Sequence, residues 1–305
     1  MEFLEALPTA VAEGLIWGLV AIGVYISYKI LDIPDMTVEG SICTGAFTFV
    51  AMLGLGLPAW VCMIAAALAG AVTGVFTGLI HTILGIPAIL AGILTQLILY
   101  SVNVLLLDGG SLATIPFGAE ILLRRIDIVP AIIFSGALVA VLIVGLWLFF
   151  YTEVGLTLKS TGDNPDMSRA QGVNVNFNKV LGLAISNAIV GLAGALYIQY
   201  KGSMGLSDGR GTIVIGLAAI FIGLSVSMKI KPNFVVSLIG VVFGSIVYYT
   251  IYRFVLLLGM KTDFLKMLTG GIVILFIGVP YVKQHYFTRR KILTPSDPSG
   301  GDGHA

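Results

Sequence analysis

The sequence predicts an all-α protein, a polytopic transmembrane helical bundle of about 8–10 membrane segments, one or two of them short or re-entrant. Three observations predict it. Of 305 residues, 57% are hydrophobic and only 11% charged, where a soluble domain carries about 25% charged residues. Mean hydropathy is +1.01. Apolar runs of spanning length also follow one another from residue 11 to residue 281, separated by short polar breaks.

A helix needs about 20 apolar residues to cross a hydrocarbon core of about 30 Å. The runs that qualify are residues 11–30, 38–55, 57–84, 88–107, 129–150, 178–200, 212–228, 233–255 and 263–281. The second and seventh are short and open on polar residues, DMTVEGS and LSDGRGT, which suits half-helices shielded by protein. The N-terminal stretch carries Glu2, Glu5 and Glu13 and no basic residue. It therefore lacks the n-region of a cleaved signal peptide, and the first span is expected to remain in the mature protein. With the N-terminus outside, inner loops and flanks hold ten Lys and Arg and outer ones seven. That bias places the C-terminus, with its cluster Arg289-Arg290-Lys291, in the cytoplasm. Residues 285–305, rich in Pro, Gly, Ser and Asp, are expected to be a disordered tail behind a single transmembrane domain of residues 1–284.

Spans one to four and six to nine echo one another. Each set runs as a long helix, a short polar-headed segment, a long helix and a final helix with its own entry, and corresponding members point in opposite directions. This is the pattern of an inverted repeat with a pathway at the repeat interface, although any helical bundle can be cut into similar pieces.

A charged residue at the centre of a span costs about 2.5–3.5 kcal/mol on insertion scales, so such residues face protein or water. Asp32, Asp35 and Glu39 gather between the first two spans. At helical spacing Asp35 and Glu39 share a face, with Thr37 and Ser41 nearby. They fit a solvated helix N-terminus, where carboxylates complement the dipole, or the lining of a gate or pathway. In the fourth span Gln96, Tyr100 and Asn103 form a polar stripe at i, i+4 and i+7, with Gly92 on the same side. The stripe suits interhelical hydrogen bonds or a path for a polar solute. In the sixth span Asn187, Gly191 and Gly194 suit a close helix contact, and Asn187 joins Asp35, Thr37, Glu39, Gln96, Tyr100 and Asn103 as a pathway candidate. His81, beside Thr82, reads as an interfacial or hydrogen-bonded histidine rather than a proton relay.

Cys43 and Cys62 lie in apolar runs as small hydrophobes. There is no Ser/His/Asp set, no HExxH, no GxGD, no GxxxxGKS or GxxxxGKT phosphate loop and no His/Cys ligand spacing. Catalysis, a metal site and a cofactor on this chain are accordingly not expected. The charge balance, 17 Lys and Arg against 16 Asp and Glu, offers no footprint for nucleic acid.

One stretch stays polar in the middle of the chain, KSTGDNPDMSRAQGVN from Lys159 to Asn174. Asn164 is an N-cap, Pro165 suits the first helical position, Asp166 complements the dipole and Gly172 supplies a left-handed stop. The result is a helix of about two turns, roughly 10 Å long at 1.5 Å per residue, too short to be stable alone. On the topology above it lies along the cytoplasmic surface between spans five and six, either as a well-capped connection or as a docking element for a partner chain.

The run GLTLKSTGDNPDMSRAQGVNVNFNKVLGLAISNAIVGLAGALY resembles the permease subunits of bacterial ABC importers in the branched-chain amino acid and ribose permease superfamily. The matching positions are Gly155, Leu158, Thr161, Gly162, Asp163, Asn164, Met167, Ala170, Gly172, Val173 and Asn174, then Gly191, Leu192, Ala193, Gly194 and Ala195. The resemblance extends over most of residues 10–281. The head DIPDMTVEGSICTGAF is similar to the subgroup described as tryptophan or tyrosine permeases, departing from its pattern at Ile33, Met36 and Glu39. A further departure is Lys159-Ser-Thr where an Arg/Lys-Ala pair is usual.

The resemblance implies a non-catalytic permease subunit of the bacterial cytoplasmic (inner) membrane, moving a small polar solute, first of all an aromatic amino acid, inward by alternating access. It implies a second permease copy, cytoplasmic ABC ATPase subunits that bind ATP and Mg²⁺, and an extracytoplasmic solute-binding protein. Within the loop 155–175 it makes Gly162, Asp163, Asn164, Pro165, Asp166, Met167, Arg169 and Gly172 the residues expected to couple to the ATPase. The residues by themselves also fit an ion-coupled secondary transporter.

Overall fold

The computed structural model describes residues 2–124, 127–227 and 233–257, together with Met267, Gly270, Gly271, Ile274 and Gly278. Most of the ninth predicted span, the Arg289–Lys291 cluster and the tail 285–305 lie outside the described residues.

Helix α1 (Glu2–Tyr25) continues into a π-helical turn, Ile26–Ile30. It is followed by α2 (Val38–Gly54), α3 (Ala59–Ile83), α4 (Ala88–Leu106), α5 (Ile128–Tyr151), α6 (Glu153–Asp163), α7 (Pro165–Ala170), α8 (Val175–Lys201), α9 (Thr212–Ser227) and α10 (Phe234–Leu257). Among the described residues six helical segments are long and apolar enough to cross a membrane: Leu7–Ile30, α3, α4, α5, α8 and α10. The chain is a multi-pass membrane protein with an all-α core.

The two segments read as short are short. Helix α2 has 17 residues and α9 has 16, about 25 Å at 1.5 Å per residue, less than a bilayer core of about 30 Å. Burial separates them from the lipid-facing helices. Ile42, Ala46, Phe47 and Phe49 of α2 are fully buried, so protein surrounds this helix on several sides. In contrast α4 and α5 leave Leu97, Leu105, Val129, Ile133 and Val141 exposed on one face.

Among the described residues three helix pairs run in the directions that an inverted repeat requires. Trp17 of α1 meets Tyr197 of α8, and Gly23 meets Ser186 and Val190, so α1 and α8 run antiparallel. Gly14 and Gly18 meet Ile246 and Val242 of α10, while Gly70, Gly74 and Gly78 of α3 meet Asn187, Leu183 and Val180 of α8. Each half therefore packs its first helix against the third helix of the other half, again antiparallel. The short helices follow the same exchange. Helix α2 runs parallel to α8 through Ser41–Asn187 and Gly45–Gly191, and α9 runs parallel to α1 through Gly216–Val24 and Phe221–Tyr28. A Cβ added at Gly70 or Gly74 would collide with the carbonyl oxygens of Asn187 and Leu183, so glycine is what lets α3 and α8 touch backbone to backbone.

A two-stranded antiparallel ribbon, β1 (Leu112–Thr114) and β2 (Ser203–Gly205), was not foreseen from the sequence. Ala113 faces Met204 across it. It ties the loop after α4 to the loop between α8 and α9.

Candidate functional site

Two regions carry the sequence-predicted residues, one at the start of α8 and one beside its middle.

The polar stretch 159–174 is divided between two helices rather than forming one loop. Helix α6 is capped by Thr152, whose Oγ1 accepts from the Gly155 amide at 3.2 Å. It buries Leu158 and Thr161 and ends at Asp163. The Gly- and Thr-rich composition of GLTLKSTGD hid this helix, which tertiary contacts hold. A Cβ on Gly162 would collide with the Ile30 carbonyl at the end of the α1 π-turn. Gly162 is thus a packing contact, and Asp163 the exposed end of α6.

Helix α7 matches the predicted short helix. Asn164 Oδ1 accepts from the Met167 amide at 3.0 Å, Pro165 is the first helical residue, and Gly172 has φ +83°. Asn174 then caps α8 by accepting from the Phe177 amide at 3.1 Å. Two side-chain bonds hold this region together. Ser168 Oγ donates to Ser160 Oγ at 3.2 Å, and Asn178 Nδ2 donates to Thr161 Oγ1 at 2.9 Å, joining α7 to α6 and α8 to α6. What α7 presents outward is Asp166 and Arg169, 3.4 Å apart, and Met167, 59% exposed. Nearby, His81 is a hydrogen-bonded residue: Nδ1 lies 2.8 Å from the Ile86 carbonyl and Nε2 lies 3.3 Å from Lys179 Nζ.

Halfway along α8 is the second region. The α1 turn ends ahead of Ile33-Pro34, where proline's missing N–H and ring clash prevent helix from continuing. A turn at Met36-Thr37 follows and α2 starts only at Val38, so Asp35 lies outside α2 and does not share a helix face with Glu39, contrary to the expected spacing. Its Oδ1 accepts from the Thr37 amide at 2.9 Å and its Oδ2 from Asn187 Nδ2 at 2.6 Å. Ser41 Oγ donates to Asn187 Oδ1 at 2.6 Å and lies 2.6 Å from Thr73 Oγ1. The hydroxyls of Thr37, Thr77 and Thr95 continue the chain at 2.7 and 3.0 Å. Asp35, Thr37 and Asn187 are each at most 2% exposed. They form a closed network joining α2, α3, α4 and α8.

Glu39, in the first turn of α2, faces elsewhere. Its Oε2 accepts from Gln96 Nε2 at 3.0 Å and its Oε1 from the Gly211 amide, at the head of α9, at 2.8 Å. Glu39, Cys43, Gln96, Tyr100, Asn103 and Arg210 line a cavity of about 420 Å³. Asn103 is 1% exposed, and its Oδ1 has no hydrogen-bond partner among the described residues. The structure thus brings four of the seven pathway candidates, Glu39, Gln96, Tyr100 and Asn103, around one cavity and sets the other three in the adjacent network. Sequence reasoning missed Arg210; its signal was a lone cation between glycines at the head of a short apolar segment. The cavity offers a carboxylate, an amide acceptor, a phenol and a guanidinium, which is the equipment to pass a small solute with both donor and acceptor groups.

Comparison with known proteins bears on what this arrangement serves. The chain is 35% identical over 275 residues to a tyrosine transport system permease protein of Clostridioides difficile (strain R20291), covering 90% of this chain and 91% of that one. It is 31% identical over 287 residues to an uncharacterised protein of Rickettsia prowazekii (strain Madrid E), covering 92% and 99%. It is 27% identical over 288 residues to an autoinducer 2 import system permease protein of Yersinia pestis (strain Pestoides F), covering 90% and 79%. No solved structure matches the chain. The family model for the branched-chain amino acid transport system permease component matches residues 8–277; with that match over nearly the whole described bundle, this chain belongs to that family of ABC importer permeases.

Proposed function

We propose that this chain is the membrane-spanning half of an ATP-driven importer for a small polar solute, with an amino acid carrying an aromatic ring as the first candidate. It works beside a second copy of itself, two cytoplasmic ATPase subunits that bind ATP and Mg²⁺, and an extracytoplasmic solute-binding protein. The C-terminus and α7 face the cytoplasm and the N-terminus faces outside.

One observation carries the reading. Helix α7 is capped at both ends, displays Asp166, Met167 and Arg169 outward, and is tied by Ser168–Ser160 and Thr161–Asn178 to α6 and α8. A push on α7 reaches α8, and α8 carries Asn187 into the network that borders the Glu39 cavity. A partner that closes on ATP can act through that rigid connection. The aromatic substrate is supported by the name of the Clostridioides difficile relative and by Tyr100 on the cavity wall.

The test is co-expression with candidate ATPases, purification in nanodiscs and measurement of ATP hydrolysis with and without loaded binding protein. A stable complex with stimulated hydrolysis is expected. A chain that purifies alone and moves solute along an ion gradient in vesicles identifies an ion-coupled secondary transporter instead.

A further inference from the structure

A second cavity, of about 480 Å³, lies on the other side of the Arg210 loop, where α1, α8, α10 and the head of α9 meet. None of the seven pathway candidates lines it. Its volume falls in the range of about 300–1,000 Å³ typical of small-molecule sites.

The walls are aromatic. Trp17 of α1, Tyr197 of α8 and Tyr248, Tyr249 and Tyr252 of α10 line it. Trp17 stands edge-on to Tyr197 at 5.6 Å and 80°, and 5.6 Å from Tyr249, which is 5.6 Å from Tyr252. Such a box accepts a planar ring edge-to-face or offset-stacked. Tyr197 and Tyr252 keep part of their surface uncovered.

The polar groups are unbalanced in one direction. Lys201 Nζ and Asp208 Oδ2 pair at 3.0 Å, and Lys201 Nζ also lies 5.3 Å over the Tyr197 ring. The carboxylate of Asp208 further accepts from the Gly205 amide at 3.2 Å. Glu13 and Arg253, the nearest charges on α1 and α10, pair with each other. Arg210 has no acidic partner among the described residues. Trp17 is 5% exposed, and its Nε1 donor has no acceptor among the described residues. An indole N–H can only donate, and burying it unpaired is unfavourable. The site therefore combines ring-stacking walls, one unmatched cation and one unmatched donor.

We infer that this cavity is a second ligand site, separate from the Glu39 cavity, that takes a small aromatic carboxylate: the ring between Trp17, Tyr197 and Tyr252, the acid on Arg210. Because Arg210 lines both cavities, a carboxylate held here also draws the guanidinium away from the pathway side. The inference requires binding alone and stands whether or not an ATPase drives the chain.

Trp17 is its own reporter. The chain has three tryptophans, and Trp60 and Trp147 are exposed, so Trp60→Phe with Trp147→Phe leaves Trp17 as the single tryptophan, excited selectively at a wavelength that tyrosine does not absorb. The purified full chain in nanodiscs of zwitterionic lipid is titrated with 4-nitrophenylpropionate, a ring quencher bearing a carboxylate. Saturable quenching is expected, at least tenfold weaker in apparent affinity in Arg210→Gln and at least fivefold weaker in Tyr252→Leu, with melting temperatures unchanged. Neither 4-nitrophenethylamine, which lacks the acid, nor hexanoate, which lacks the ring, should bind or compete. The inference is overturned by absence of saturable quenching, by equal quenching with the amine, by competition from hexanoate, or by affinity unaltered in Arg210→Gln. Displacement by phosphatidylglycerol in the nanodisc overturns it in favour of a lipid-headgroup site.

Discussion

The Glu39 carboxylate accepts a hydrogen bond from the Gly211 amide at 2.8 Å, joining the first turn of α2 to the head of α9 across 172 positions of sequence. The two short helices, one from each half of the inverted repeat, thus meet at one carboxylate, with Gln96 of α4 donating to its other oxygen. In transporters built from inverted repeats, helix ends inside the membrane are where polar solutes are handled. Hydrogen bonds to a charged group contribute about 1.5–3 kcal/mol. Glu39→Leu is therefore expected to lower the melting temperature by several degrees and to abolish uptake in proteoliposomes. Glu39→Gln, which keeps the Gly211 bond, is expected to preserve stability while reducing uptake at least tenfold. Full uptake in both variants would remove Glu39 from the pathway.

Asn187 donates to Asp35 and accepts from Ser41. Replacing it with Leu leaves the buried carboxylate and the hydroxyl each short of a partner, at a cost of about 1–3 kcal/mol for each unsatisfied group. Asn187→Leu should melt well below the parent in a thermal-shift assay, and Asp35→Asn with Asn187→Asp, which restores a complementary pair, should recover part of the loss. Equal melting of parent and single variant would show that the network does not hold α8.

Helix α7 offers a test that separates folding from coupling. Asp166→Arg with Met167→Asp reverses its exposed chemistry without touching the cap at Asn164 or the Ser168–Ser160 bond. Membrane insertion and melting temperature are expected to stay as in the parent, while co-purification with the ATPase falls at least tenfold. Unaltered co-purification would take the docking role away from these residues.

Asn164→Ala removes the cap itself. Loss of such a cap costs about 0.5–2 kcal/mol, and α7 has six residues. Faster amide hydrogen exchange is expected at residues 166–170, with no change in α8. Uniform protection in the variant would mean that neighbouring contacts, not the cap, hold the helix.

Close backbone contact between α3 and α8 predicts a steep positional contrast. Gly74→Val drives a side chain into the Leu183 carbonyl, whereas Gly145→Ala meets no atom within 4 Å. Overpacking costs about 1–3 kcal/mol where side chains can adjust, and here the obstacle is backbone. Gly74→Val should express poorly and melt early, and Gly145→Ala should match the parent; the two melting temperatures decide it.

What the sequence by itself determined was local. Span positions follow from hydropathy summed over consecutive residues, and α7 from a cap, a proline and a left-handed glycine within nine residues of one another. The shortness of α2 and α9 was legible because polar residues interrupt the apolar run. The tertiary structure decided everything that depends on which distant segments meet. It separated Asp35 from Glu39, because α2 starts only at Val38 and the Asp35 carboxylate caps the turn at Thr37 instead. It made a helix of Glu153–Asp163, whose weak propensity is offset by packing against Ile30 and α8. It also placed Arg210 between two cavities and Trp17 beside tyrosines 180 to 235 positions away. Hydropathy and capping act between neighbours in sequence; cavities and buried networks arise from helix directions and crossings, which the exchanged packing of the two halves sets.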